Sequence, residues 1–199
     1  MNLRTNFTPT LAHPLPSRGT AAISALRAGG LLLLPTANLW QVTADATQLS
    51  AVNALLQTCP PTRVNRPELV FPDRDSLIEW FPDLHPKIDT LLLYHGRALT
   101  VSLPASARVP MGMVDQRDEV NIRLAMDSHV CQLCEDLEGP LAACFAMGVG
   151  QKMLPTRFGQ INSDVLYRAD YTVTRRQKET LGSRPAVRVR MDGDELEFL

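Results

Sequence analysis

Four consecutive leucines, Leu31 to Leu34, stand between Gly29-Gly30 and Pro35. The run is too short to be a helix, and both ends are closed by residues that interrupt regular structure. An apolar run of this length reads as a strand buried on both faces. The residues before it repeat at helical spacing. Ala22, Ile23 and Leu26 share one side of a segment from about Gly19 to Ala28, and Ser17 is placed to cap it. A helix, a Gly-Gly stop and a doubly buried strand imply an α/β protein.

The same alternation continues. Helical spacing returns from Thr47, with Leu49, Val52, Leu55 and Leu56 on one face, and Pro60-Pro61 ends it. Glu68 to Phe71 reads as a short strand. Asp73 caps a helix carrying Leu77, Ile78, Trp80 and Phe81, and Pro86 opens another through Leu91 to Tyr94. Leu99 to Leu103 is a further strand, and residues 104–118 form a loop. Val120 to Leu124 alternates apolar and polar, so it reads as a half-buried strand. Asp127 or Ser128 caps a helix with Val130, Leu133 and Leu137, and Leu141 to Met147 follows as a buried strand after Gly139-Pro140. Ile161 to Leu166 reads as a short helix and Tyr171 to Val173 as a strand. Two alternating runs, Ala186 to Met191 and Glu195 to Leu199, flank Asp192-Gly193-Asp194 as a hairpin. The expectation is an α/β fold with a mixed sheet, one domain over residues 17–199, after an extended arm at 1–16. The order of the strands does not follow from the pattern.

Charge and cysteine content narrow the function classes. The 199 residues hold 20 basic and 21 acidic side chains, a net charge of −1. That excludes a strongly basic nucleic-acid coat and a charged disordered tail, and leaves a local basic groove open. No apolar run approaches the roughly 18 residues that span a bilayer. Met1 to Pro16 carries no apolar core behind a basic start, so no secretory leader and no membrane partner are expected. Four cysteines are too few for a disulfide scaffold, and reduced thiols in a cytoplasmic protein are expected. Cys131-x-x-Cys134 falls in a predicted helix without a second such pair, so it reads as core thiols, and no metal site is expected. Gly148-Val149-Gly150-Gln151-Lys152 lacks the Gly-Lys-Ser/Thr end of a phosphate loop and by itself reads as a turn. The last third is basic: Arg168, Arg175, Arg176, Lys178, Arg184, Arg188 and Arg190. Arg188 and Arg190 share one strand face, which either meets phosphates or is a solvated face balanced by Asp192, Asp194, Glu195 and Glu197. Trp40 is placed in the loop after the first strand, either over a ligand or in the core.

The segment Ala25-Leu26-Arg27-Ala28-Gly29-Gly30-Leu31-Leu32-Leu33-Leu34-Pro35-Thr36 resembles the opening of the YrdC-like family, which includes threonylcarbamoyl-AMP synthases and YciO-like proteins. The following stretch keeps the family's frame and its Asp45-Ala46 ending. Gly96 to Leu103, Val120-Asn121-Ile122-Arg123-Leu124, Pro140-Leu141 and Pro185 to Leu199 then resemble later family blocks in the same order. The resemblance spans about residues 17–199. It implies a twisted mixed sheet flanked by helices around a concave, positive surface. It also implies condensation of L-threonine, bicarbonate and ATP into threonylcarbamoyl-AMP, with release of pyrophosphate. A partner protein then transfers the threonylcarbamoyl group to tRNA. ATP is the implied cofactor, with Mg2+ left open, and double-stranded RNA binding has also been credited to such domains.

The residues that carry this chemistry are only partly kept. Where the family has Lys-x-Arg, the ungapped match is Cys59-Pro60-Pro61, and Arg63 and Arg66 are the cations that follow. Where the family has Ser-Ala-Asn, the match is Phe145-Ala146-Met147 after Cys144, so a nucleotide would be held through the backbone amides of Gly148 and Gly150. The resemblance places Thr36, Asn38 and Arg123 at the threonine end of the site, a guanidinium being suited to a bidentate carboxylate. It places Arg63, Arg66, Thr100, Cys144, Gly148, Gly150 and Arg188 at the nucleotide end. Catalytic residues are not assigned. Two functions remain open: a divergent synthase with relocated cations, or a silent relative that binds a nucleotide, RNA or a protein.

Overall fold

The computed structural model describes residues 18–182 and 185–199. The extended arm expected at 1–16, the Ser17 cap and Arg184 lie outside the described residues. The first helix, α1 (Arg18–Arg27), ends at a glycine pair. Gly29 takes φ +80, a left-handed conformation that costs a glycine little, and Gly30 donates back to the Ala25 carbonyl at 2.9 Å. A side chain at Gly30 would meet Asp170 Oδ2 at 3.0 Å, so the turn needs both glycines. The leucine run follows as β1 (Leu32–Pro35), buried at every position.

A strand appears where the sequence reads as loop. β2 (Trp40–Asp45) turns back antiparallel on β1, pairing Pro35 with Trp40 and Leu32 with Thr43. Trp40 is therefore core: it is fully buried and meets Phe158 edge-on with centroids 5.1 Å apart. The polar residues of β2 hide its strand character, because Gln41, Thr43 and Asp45 are also buried. The expected second helix is α2 (Leu49–Thr58), but its buried face is Ala51, Val52, Leu55 and Thr58, and Leu49 is exposed.

The remaining elements lie close to their expected places. They are β3 (Glu68–Phe71), α3 (Arg74–Trp80), α4 (Pro86–Tyr94), β4 (Leu99–Pro104) and β5 (Glu119–Leu124). Then come α5 (Ser128–Leu137), β6 (Leu141–Phe145), α6 (Ser163–Arg168), β7 (Tyr171–Thr172), β8 (Val187–Asp192) and β9 (Glu195–Phe198). Asp73 and Asp127 cap α3 and α5 by accepting from the amides of Ser76 and His129.

The nine strands described make one mixed sheet in the order β7-β1-β2-β6-β3-β5-β4-β8-β9. Its two faces are covered unequally. Under α2, α3, α4 and α6 runs a continuous apolar layer that includes Leu33, Val42, Leu69, Phe71, Val101, Ile122, Cys144 and Val189. The opposite layer, under α1 and α5, is smaller. It takes Leu32, Leu34, Val70, Leu141 and Ala143, and no residue of β4, β5 or β8. Side chains alternate across a strand, so on that second face β4, β5 and β8 present Thr100, Ser102, Asn121, Arg123, Arg188 and Arg190. The fold thus leaves half of one sheet face polar.

Candidate functional site

The polar half-face is assembled by register. Glu68 stands opposite Asn121, Asn121 opposite Ser102, and Ser102 opposite Arg190, so one rung of four strands carries four polar side chains. Thr100 stands opposite Arg188 on a neighbouring rung. Above these residues opens a narrow cleft of about 50 Å³. Thr36, Asn38, Gln41, Arg66, Glu68, Thr100, Asn121, Arg123 and Arg188 supply its polar lining, and Leu39, Val64, Phe145, Pro185 and Ala186 its apolar walls.

A closed hydrogen-bond network forms the floor. Arg123 Nη2 donates to Gln41 Oε1 at 3.0 Å and forms an ion pair with Glu68 Oε1, also at 3.0 Å. Gln41 Nε2 donates to Glu68 Oε1 at 2.9 Å, and the Thr100 hydroxyl donates to Glu68 Oε2 at 3.0 Å. The Arg123 and Glu68 side chains are only 6% and 9% exposed, so neither charge is relieved by water. Arg123 Nε is buried without a hydrogen-bond partner among the described residues. Beside this floor, Asn121 bridges Ser102 and Arg188: its Oδ1 accepts from both at 3.0 Å, and its Nδ2 donates to the Pro67 carbonyl.

The mouth is cationic. Arg66 is exposed on the loop before β3, and Arg188 is half-buried on β8. Burial first, then the neighbouring Arg66, push the Arg188 guanidinium down from its usual range; Glu68 and Asp115 act in the opposite sense. An anion placed between Arg66 and Arg188 would offset the repulsion between the two cations.

Of the sequence-derived site residues, Thr36, Asn38, Arg66, Thr100, Arg123 and Arg188 come together on this cleft. Thr36 is buried and donates its hydroxyl to the Leu39 carbonyl, while its own carbonyl accepts from Arg176 Nη1 at 3.0 Å. Four residues lie elsewhere. Arg63 is exposed and lines a neighbouring cavity with Arg66, Arg117 and Arg190. The Cys144 side chain points into the apolar layer on the other side of the sheet, where burial and then the nearby Cys59 push its thiol far up. The Gly148 amide lies 3.4 Å from Gln151 Oε1, within the loop after β6. Gly150 sits in an exposed turn at φ +75. Arg190 shares the strand face of Arg188 as expected, but its guanidinium is engaged by Glu197 Oε2 at 2.5 Å.

Sequence reasoning missed Gln41, Glu68 and Asn121. Each occupies a polar position in a strand whose alternate residues are apolar, the pattern of an ordinary solvated face. Read as half-buried, β5 would place Asn121 and Arg123 in solvent, yet both are buried, because neighbouring strands carry polar residues in the same register.

The family model described as Telomere recombination, covering Sua5, YciO and YrdC, matches residues 24–191. A threonylcarbamoyl-AMP synthase of Stenotrophomonas maltophilia (strain K279a) is 26% identical over 136 residues, 66% of this chain and 72% of that protein. The crystal structure of E. coli YciO superposes with a TM-score of 0.76 at 16% identity, over 90% of this chain and 86% of that one. P. abyssi Sua5 complexed with L-threonine superposes with a TM-score of 0.75 at 20% identity, over 90% of this chain and 52% of that one. This chain therefore spans about half the length of the Sua5 chain, and at these identities the two structures speak for the fold alone. With the family model matched along most of its length and the sheet of YciO and Sua5 underneath, this chain belongs to the Sua5/YciO/YrdC family.

Proposed function

We propose that this chain is a threonylcarbamoyl-AMP synthase whose phosphate-facing cations are rebuilt from Arg66 and Arg188. The reaction joins L-threonine, bicarbonate and ATP and releases pyrophosphate, in the service of tRNA modification in the cytoplasm. One observation carries the reading: Arg66, Arg123 and Arg188 converge on a single cleft with Thr36, Asn38 and Thr100. The chemistry must hold an anionic carbamate against a triphosphate, so fixed positive charge at the meeting point lowers the barrier. Arg66 and Arg188 face the phosphates. Thr36 and Asn38 hold the amino acid, and the floor around Arg123 supports it. ATP enters with Mg2+, to which no residue of the chain is assigned. The related Stenotrophomonas synthase supports the same substrate class.

The test is calorimetric titration with ATP, with and without L-threonine and bicarbonate, followed by pyrophosphate release on the same sample. Threonine-dependent release is expected, and Arg66→Ala and Arg188→Ala should each reduce it by about tenfold or more, the loss of one charge-assisted contact in the transition state. No ATP heat and no release sinks the synthase. A second reading, a relative that binds a nucleotide, RNA or a protein without turnover, is favoured by Phe145 on the cleft wall and by the Arg123–Glu68 pair, which leaves Arg123 less free to clamp a substrate carboxylate. ATP heat without release would select it.

A further inference from the structure

We infer that Asn65 is the positioning residue for Arg66: its side chain fastens the loop before β3 to the end of β6, and so holds the Arg66 guanidinium at the mouth of the cleft. The inference rests on Arg66 facing an anion, as proposed above, and it concerns how that cation is held rather than whether turnover occurs. The loop that joins α2 to β3 is exposed at Thr62, Arg63, Val64 and Arg66. Asn65, in the middle of this run, is only 1% exposed. A side-chain amide is buried without penalty only when it is hydrogen-bonded. Here its Oδ1 accepts from the Phe145 amide at 2.8 Å, and its Nδ2 donates to the Phe145 carbonyl at 3.3 Å. The Asn65 backbone is fixed as well. Its amide donates to the Thr62 hydroxyl at 3.0 Å, and its carbonyl accepts from the Thr62 amide at 2.9 Å.

Register explains what the clamp replaces. β3 pairs antiparallel with β6 from Glu68 opposite Ala143, so a ladder continued by two residues would set Arg66 opposite Phe145. β3 begins at Glu68 instead, and the Asn65 side chain takes the Phe145 backbone groups that such a rung would have used. Arg66 is thereby left out of the ladder, exposed on the cleft, while Val64 and Phe145 beside the clamp form part of its apolar wall. Among the described residues no ion pair holds Arg66, so the backbone that carries it sets its place. A loop cation without such an anchor samples many positions, and ordering it on binding costs affinity. The clamp removes part of that cost before a ligand arrives.

The probe is inorganic pyrophosphate, titrated calorimetrically into the full chain as wild type, Arg66→Ala, Asn65→Ala and the double variant. Asn65→Ala should weaken binding about fivefold or more when Arg66 is present and less than about twofold in the Arg66→Ala background, the non-additivity of a residue that acts through its neighbour. A general loosening of the fold would weaken both backgrounds alike. Equal losses in the two backgrounds overturn the inference. So does a folded Asn65→Ala protein, judged by circular dichroism, that binds pyrophosphate within about twofold of wild type. If Asn65→Ala does not fold, Thr62→Val takes its place, because Thr62 is exposed and the change removes the hydroxyl that accepts from the Asn65 amide. Thr62→Val should weaken pyrophosphate about threefold, again only where Arg66 is present, and an unchanged affinity overturns the inference. A wild type that takes up no pyrophosphate overturns it too, since no anion then meets Arg66. None of these titrations uses ATP or L-threonine. A chain without turnover can still pass, and an active synthase can still fail.

Discussion

The four cysteines look alike in the sequence and differ sharply in their surroundings. Burial pushes the Cys59 and Cys134 thiols up to about 12, and Cys144 is also raised well above its ordinary value, by burial and then by its neighbour Cys59. Cys131 is also raised, by burial and then by Glu135, but it is only half-buried. Its i,i+3 partner Cys134 turns into the core, where its thiol approaches the Val70 carbonyl at 3.5 Å. In native protein at pH 8, a disulfide reagent should label Cys131 first. Cys59, Cys134 and Cys144 should react only as the chain unfolds, since a thiolate is both disfavoured and inaccessible there. Rapid labelling of all four without denaturant would contradict the packing of the sheet. The core-thiol reading was legible because a helix with Val130 and Leu133 on the same side as Cys134 leaves it facing the core. That Cys131 stays nearer the surface was not legible, because it depends on where β3 ends beneath it.

At the scale of elements, α5 does more than cover the sheet. Its cap Asp127 accepts from the His129 amide at 2.9 Å and pairs with Arg175 at 3.1 Å and with Arg176 at 3.9 Å. Arg176 holds a left-handed φ of +58 and donates to the Thr36 carbonyl on the cleft wall. The N-terminus of α5 is thus tied to the end of β1 through a loop residue that is neither glycine nor asparagine. Replacing Asp127 by Ala should cost about 1–2 kcal/mol in urea denaturation, chiefly from the lost cap, because the Arg175 pair is partly exposed and weak. Lys178→Ala, on the exposed part of the same loop, should stay within about 0.5 kcal/mol of wild type. A Lys178 change as large as the Asp127 change would mean that the loop, rather than the cap, carries the effect. The Asp127 cap is readable from sequence, since an aspartate before a helical pattern has a local job. Its link to Thr36 is not, because 140 residues separate Thr36 from Arg176.

At the scale of the whole molecule, a single sheet runs from β7 to β9, and one apolar layer underlies it from β1 to β8. No boundary in that layer would let one half melt before the other. Unfolding followed by far-ultraviolet circular dichroism should therefore coincide with unfolding followed by tryptophan emission. Trp40 is fully buried near one end of the sheet and Trp80 lies on α3, so the two report from separate strands and helices. Separated transitions would show that the β4-β8-β9 side folds as its own unit.

The amino-acid sequence by itself determined the alternation of helices and strands, because spacing, caps and glycine stops act within a few residues of one another. The family blocks, met in order from Ala25 to Leu199, brought with them the kind of fold. The tertiary structure alone decided that Gln41, Glu68, Thr100, Asn121, Arg123 and Arg188, from β2, β3, β4, β5 and β8, face a shared cleft rather than open water. Period two says which residues share a face and says nothing about what lies above it. The answer came from α1 and α5 covering only one end of that face, and from a register that sets Glu68 against Asn121 and Thr100 against Arg188. Those contacts join residues far apart in the chain, and no local pattern encodes them.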